Sequence, residues 1–183
     1  MAVAGGAEVE DLGEEFRRGD APADAGRHGV KLVIHVGCLD EVARRIATLI
    51  EHDSMGPGDI GVLVPTNRMV NQVVARLKAD GLDVQELDRY DGRPTQRVKV
   101  GTYHRGKGLE FKAVFLPGLS KGVYPRPPRD TDSVDEAAEA NDLALSQLFV
   151  AMTRARDLLV LLYDGDISEA LAGGLDRFER EST

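Results

Sequence analysis

From Lys31 onward, short apolar runs alternate with amphipathic stretches. KLVIHV, Lys31 to Val36, predicts a strand. Asp40 opens a helix that places Leu39, Val42, Ile46, Leu49 and Ile50 on one face, and MGPG breaks it. DIGVLV, Asp59 to Val64, predicts a second strand. Thr66 or Asn67 caps the next helix, whose face is Val70, Val73, Val74 and Leu77, and Gly81 ends it as a left-handed cap. Leu82 to Leu87, Arg97 to Tyr103 and Lys112 to Gly118 read as three more strands. After the Pro-rich YPRPPRDTD, Ser133 and Glu136 form a capping box for a long helix. Its expected apolar face is Leu145, Leu148, Phe149 and Met152. LLVLLY, Leu158 to Tyr163, reads as a strand buried on both faces, and a last helix is expected near Ile167 to Leu171. Strands alternating with helices predict an α/β fold, a mostly parallel sheet with helices on both faces.

Residues 1–29 are rich in Gly, Ala, Asp and Glu and lack an apolar period. They read as a flexible lead-in or linker, or the frayed end of something larger. The folded unit is expected over 30–175, with a polar tail over 176–183. The acidic N-terminus is unlike a secretory signal or transit peptide. No apolar run approaches the ~18 residues a membrane span needs, so the expected location is cytoplasmic, with no membrane partner. The single Cys38 rules out a disulfide framework, and the four histidines show no metal-ligand spacing.

Net charge is −8, but the distribution is uneven. Arg93 to Arg129 holds nine Lys or Arg and one acid, Glu110, a local +8 inside a background of −16. Such a run is a solvated face or a surface for phosphates. Within it lies GTYHRGKGLEF, residues 101 to 111, which contains the G-x-x-x-x-G-K frame of a phosphate-binding P-loop. Gly108 stands where that loop needs a hydroxyl for magnesium. Only Leu109, Glu110 and Phe111 separate Gly108 from the next strand, so no helix N-terminus is available to meet phosphates. The segment is therefore not a P-loop.

VKVGTYHRGKGLEFKAVFLPGL resembles motif V of UvrD-like superfamily 1 DNA helicases. LFVAMTRARDLLVLLY resembles their motif VI, and DIGVLVPTNRMVNQVVARL their motif IV, in the family's order. The similarity spans roughly residues 30 to 165. It implies a second RecA-like domain, the C-terminal half of a motor in which ATP lies between two such domains. The Walker A lysine, Walker B acids and glutamine motifs of the first domain are not in this sequence. Pro65 and Asn71 stand where the family's motif IV carries arginines, with Arg68 close by.

The resemblance gives Arg154 the role of a charge that stabilises a transferring phosphoryl group. On residues alone, Arg154 reads first as a helix-end cation facing the dipole. It ends the long helix just before a buried strand, which suits the sheet edge where ligands bind in such folds. Glu110 is implied to face the nucleotide sugar, or else it pairs with Lys107 or Lys112. Lys107 and Gly108 complete the expected ATP-binding set. Thr102, His104 and Arg105 are the expected DNA-phosphate contacts, the first two sharing a side if strand alternation continues. Tyr124 stacks on a base or anchors its loop.

The resulting expectation is the C-terminal motor domain of an ATP-dependent, 3′–5′ DNA helicase. It would use ATP and Mg2+ held mainly by an N-terminal RecA-like domain, bind single-stranded DNA and be inactive by itself. The alternative is a non-catalytic nucleic-acid-binding or protein-interaction module derived from such a domain.

Overall fold

The computed structural model describes residues 30–169 together with Leu171. The expected lead-in and polar tail lie outside the described residues, as does part of the expected last helix. Six strands, β1 (Lys31–Val36), β2 (Ile60–Val64), β3 (Val84–Glu86), β4 (Val98–Thr102), β5 (Phe111–Pro117) and β6 (Ala155–Tyr163), form one sheet in the order β1-β6-β5-β2-β4-β3. Every pairing is parallel. Helices α1 (Leu39–Glu51), α2 (Asn67–Ala79) and α3 (Val134–Met152) cover it. Among the described residues no helix is long and apolar enough to cross a membrane.

Alternation along the central strands divides the core. Val62, Val64, Ala113, Phe115, Val160 and Leu162 face α1 and α2. Leu63, Val114, Leu116, Leu159 and Leu161 face α3. Apolar side chains on both faces are what a covered parallel sheet requires. The expected α2 face is buried, as are Val42, Ile46 and Leu49 of the α1 face, with Leu39 and Ile50 partly so, and the Thr66 side chain caps α2 by accepting from the Met69 amide. Gly81 takes a φ of 79° just past α2, as its capping role predicts.

The capping box at Ser133 and Glu136 is formed. Ser133→Ala removes the acceptor for the Glu136 amide, and is expected to lower stability by about 1 kcal/mol, read as a urea midpoint shift. Along α3 the burial differs from the sequence expectation. Leu148 and Ala151 are its buried residues, whereas Phe149 is 67% exposed. Each residue advances about 100° around a helix, so once Ala144, Leu148 and Ala151 face the sheet, Phe149 is carried out to solvent.

Candidate functional site

The connection from β4 to β5 builds the site. β4 and β5 flank β2, so residues 103–110 must cross β2 and return from the carboxyl ends of the strands to their amino ends. No helix makes this crossing; the segment is a series of tight turns. The Tyr103 amide donates to Val64 O, the Gly106 amide to Thr102 O, and the Leu109 amide to Gly106 O. Two glycines allow the close passage. A Cβ on Gly106 would lie 2.9 Å from Leu63 Cδ1, and a Cβ on Gly61 of β2 would lie 2.7 Å from the Phe111 ring. Gly108 has a φ of 83°, a conformation that excludes most side chains. Gly106 and Gly108, on either side of Lys107, thus serve a crossing rather than a phosphate cradle.

The segment ends at the amino edge of the sheet. Glu110 immediately precedes β5 and Arg154 immediately precedes β6, and the Phe111 amide donates to Arg154 O at 2.9 Å. The two candidate nucleotide residues therefore stand side by side at the starts of adjacent strands. This corrects the expectation from the usual ligand edge, which is the carboxyl one. A helix that feeds a parallel strand must deliver its last residue to the strand's start. Arg154 is half-buried and donates through Nε to Val150 O at 3.0 Å and through a terminal nitrogen to Thr153 Oγ1 at 3.1 Å. In this arrangement its guanidinium folds back over the end of α3, in keeping with the helix-end reading.

Around this pair lie further charges. Lys112 pairs with Asp59, which precedes β2, at 2.6 Å. Lys112 is thus not Glu110's partner, and no ion pair to Glu110 forms among the described residues. Between Phe111↔Ala155 and Ala113↔Leu158 the register slips, so β6 holds an extra residue. There Arg156 and Asp157 form a two-bond fork of 2.9 and 2.8 Å. The Asp157 carboxylate makes the Arg156 guanidinium hold its proton more tightly, with Asp59 and Glu110 adding at longer range. Arg156 therefore lies on a bulged strand, beyond the end of α3. In the fold Asp59, Glu110 and Arg154 each occupy the last place before a strand, a position that the predicted strand starts at Asp59, Lys112 and Leu158 do not mark.

Lys99 is a buried cation on this side. It donates to Gly58 O and lies 5.4 Å from the Tyr90 ring centre and 6.0 Å from that of Phe111. Burial pushes its amine down from the usual lysine range.

At the carboxyl edge are Thr102, His104 and Arg105. β4 stops at Thr102 and the chain turns, so strand alternation does not continue to His104. Thr102 Oγ1 accepts from the Arg105 amide at 3.3 Å, which leaves its hydroxyl hydrogen to donate outward. His104 is exposed, and Arg105 pairs with Asp88 at 2.6 Å with both side chains more than half exposed. Tyr103, between them, is buried at 2% exposure. Tyr124 is also buried, at 4%, and donates its hydroxyl to Ala144 O. It is a loop anchor, not a surface for a base.

Folding also redistributes the basic run. Arg93 pairs with Asp91, Arg105 with Asp88, Lys112 with Asp59 and Lys121 with Glu169, while Lys99 is buried. Arg97, Lys107, Arg126 and Arg129 are exposed without an ion pair among the described residues. Of the local +8, only these four exposed cations are left without an ion pair among the described residues.

The amino edge suits the rim of a nucleotide site. A carboxylate can accept sugar hydroxyls, and a guanidinium can meet phosphate oxygens. It lacks the glycine loop and following helix that would cradle a triphosphate. Among the described residues no three His, Cys, Asp or Glu side chains converge to hold a metal ion.

A parallel α/β domain with candidate nucleotide groups at one strand edge and candidate phosphate-binding groups at the other belongs to the RecA-like class. The crystal structure of the C-terminal domain of a possible DNA helicase from Lactobacillus plantarum has this fold, with a TM-score of 0.58, 21% identity and 78% of each chain covered. Residues 64–165 match the model of the UvrD-like helicase C-terminal domain, and the chain belongs to that family. A probable DNA helicase II homolog of Mycoplasma capricolum is 36% identical over 108 residues, 57% of this chain and 14% of that protein. A putative ATP-dependent DNA helicase, YjcD of Bacillus subtilis, is 33% identical over 107 residues, 56% of this chain and 13% of that protein. The chain thus corresponds to a small part of these relatives.

Proposed function

We propose that this chain is the second motor domain of an ATP-dependent DNA helicase, working 3′–5′ as its resemblance implies, and inactive without a first RecA-like domain. The observation that carries the reading is the backbone bond from Phe111 to Arg154 O, which joins Glu110 and Arg154 at the amino edge. In this reading the first domain holds ATP and Mg2+ and docks on that edge. Glu110 accepts hydrogen bonds from the sugar hydroxyls. Arg154 leaves Val150 O and Thr153 Oγ1 and turns its fork to the terminal phosphate, where charge shifts in the transition state. Lys107 adds positive potential, and Gly108 lets the segment turn towards Glu110. At the other edge Thr102, His104 and Arg105 contact phosphates of single-stranded DNA, which positions the strand without reading its sequence. Arg105 would exchange Asp88 for phosphate, so its net contribution is small.

Binding of labelled oligothymidylate by the 183-residue chain tests this reading. We expect weak binding that is indifferent to base sequence, with a log–log salt slope of roughly −0.7 per phosphate neutralised. His104→Ala combined with Lys107→Ala should weaken it and flatten the slope. Affinity that stays constant from low to high salt contradicts the assignment.

A further inference from the structure

We propose that Tyr103 and Tyr124 are positioning residues that transmit DNA occupancy at the carboxyl edge to the end of α3, where Arg154 sits; this rests on the helicase reading above. Three observations lead to it. Tyr103 lies in sequence between the candidate DNA contacts Thr102 and His104, with its ring buried on the α3 face of the sheet. That ring meets Tyr124 edge-to-face, with centroids 5.9 Å apart and planes at 83°. Tyr124 in turn donates its hydroxyl to Ala144 O, in the middle of α3.

From Ala144 the helix runs towards Arg154, about 15 Å away at 1.5 Å per residue. The helix is a stiff rod over that distance, and it is lightly held. Leu148 and Ala151 are its buried residues, out of 19. A displacement at Ala144 therefore moves the last turn, where Val150 O and Thr153 Oγ1 hold the Arg154 guanidinium. A shift of that turn changes where the guanidinium rests.

The Tyr103 hydroxyl separates this role from plain packing. It is buried and has no hydrogen-bond partner among the described residues. A phenol in such a place is worse than phenylalanine, because its O–H is desolvated without return. We read the hydroxyl as serving a second arrangement of the 103–108 turns, reached when DNA engages Thr102 and His104, in which it finds an acceptor. The Tyr103–Tyr124 contact is then the element with two states, which a coupling argument requires.

Amide hydrogen exchange of the 183-residue chain, with and without saturating oligothymidylate, decides the matter. The wild-type chain should show a DNA-dependent change at the Thr153 and Arg154 amides, which close the end of α3 through Phe149 O and Ala151 O. Tyr103→Phe should keep the fold, keep its stability or gain slightly, and still bind the oligonucleotide, yet lose that distant change. Tyr124→Phe, which removes the bond to Ala144 O, should lose it too. If Tyr103→Phe binds DNA and transmits the change as the wild type does, the pair is only core packing and the proposal falls while the helicase reading stands. If the wild-type chain binds no oligonucleotide, both fall.

Discussion

Arg154→Ala should lower ATP turnover of the complete two-domain motor by about 10³-fold or more, the scale of arginine-finger losses. In the proposed role, its always-charged, planar fork would meet two phosphate oxygens at once in the transition state. ATP affinity should change far less, because the proposed first domain holds the phosphates and Arg154 acts mainly as charge shifts. Arg154→Lys should rescue poorly, since an ammonium cannot reproduce the fork. Arg156→Ala is the comparison. Its guanidinium is already engaged by Asp157, so its loss should leave most of the turnover. Steady-state kinetics of the three variants would read these differences. If Arg154→Ala is silent and Arg156→Ala abolishes turnover, the bulge on β6 aims the wrong arginine in this account. If both are silent, Arg154 is a helix-end charge and the non-catalytic alternative gains.

The second large effect belongs to the core. Phe115 is 0% exposed, at the middle of β5, and packs in the cluster beneath α1 and α2. Phe115→Ala deletes a ring from a close-packed layer between sheet and helices, and should cost about 3–5 kcal/mol. Phe115→Leu keeps most of the volume and should cost much less. Urea unfolding followed by circular dichroism separates the two. An alanine variant as stable as the wild type would mean that this layer is not packed as described.

The elements were legible in the sequence because each is written in local pattern. Val70, Val73, Val74 and Leu77 mark one helix face at helical spacing, and Ser133 with Glu136 announces the start of α3. The family resemblance was legible for a similar reason, since its motifs are short and continuous. The arrangement of the site was not. That Arg154 lies at the amino edge does follow from its place just before a parallel strand, and the carboxyl-edge expectation misapplied that rule; what local pattern does not state is which strand starts become its neighbours. Lys112 finds Asp59 and Arg105 finds Asp88 across the fold, so counting charges along the chain overstated the basic surface. The slip between β5 and β6 that brings Arg156 and Asp157 together is a property of pairing between distant segments. The Tyr103–Tyr124 contact joins residues 21 positions apart and leaves no periodic trace. Phe149 shows the converse error: an apolar residue at plausible spacing is exposed because Leu148 and Ala151 set the buried side of α3.

We propose that this chain supplies one wall of a nucleotide site completed by another domain. DNA-stimulated ATP hydrolysis tests it most directly, measured on the 183-residue chain by itself and joined to a first RecA-like domain of the same family. No hydrolysis above background is expected from the chain alone, and turnover should appear on joining and depend on Arg154. Sustained DNA-stimulated hydrolysis by the chain alone, or none from the joined protein, would contradict it.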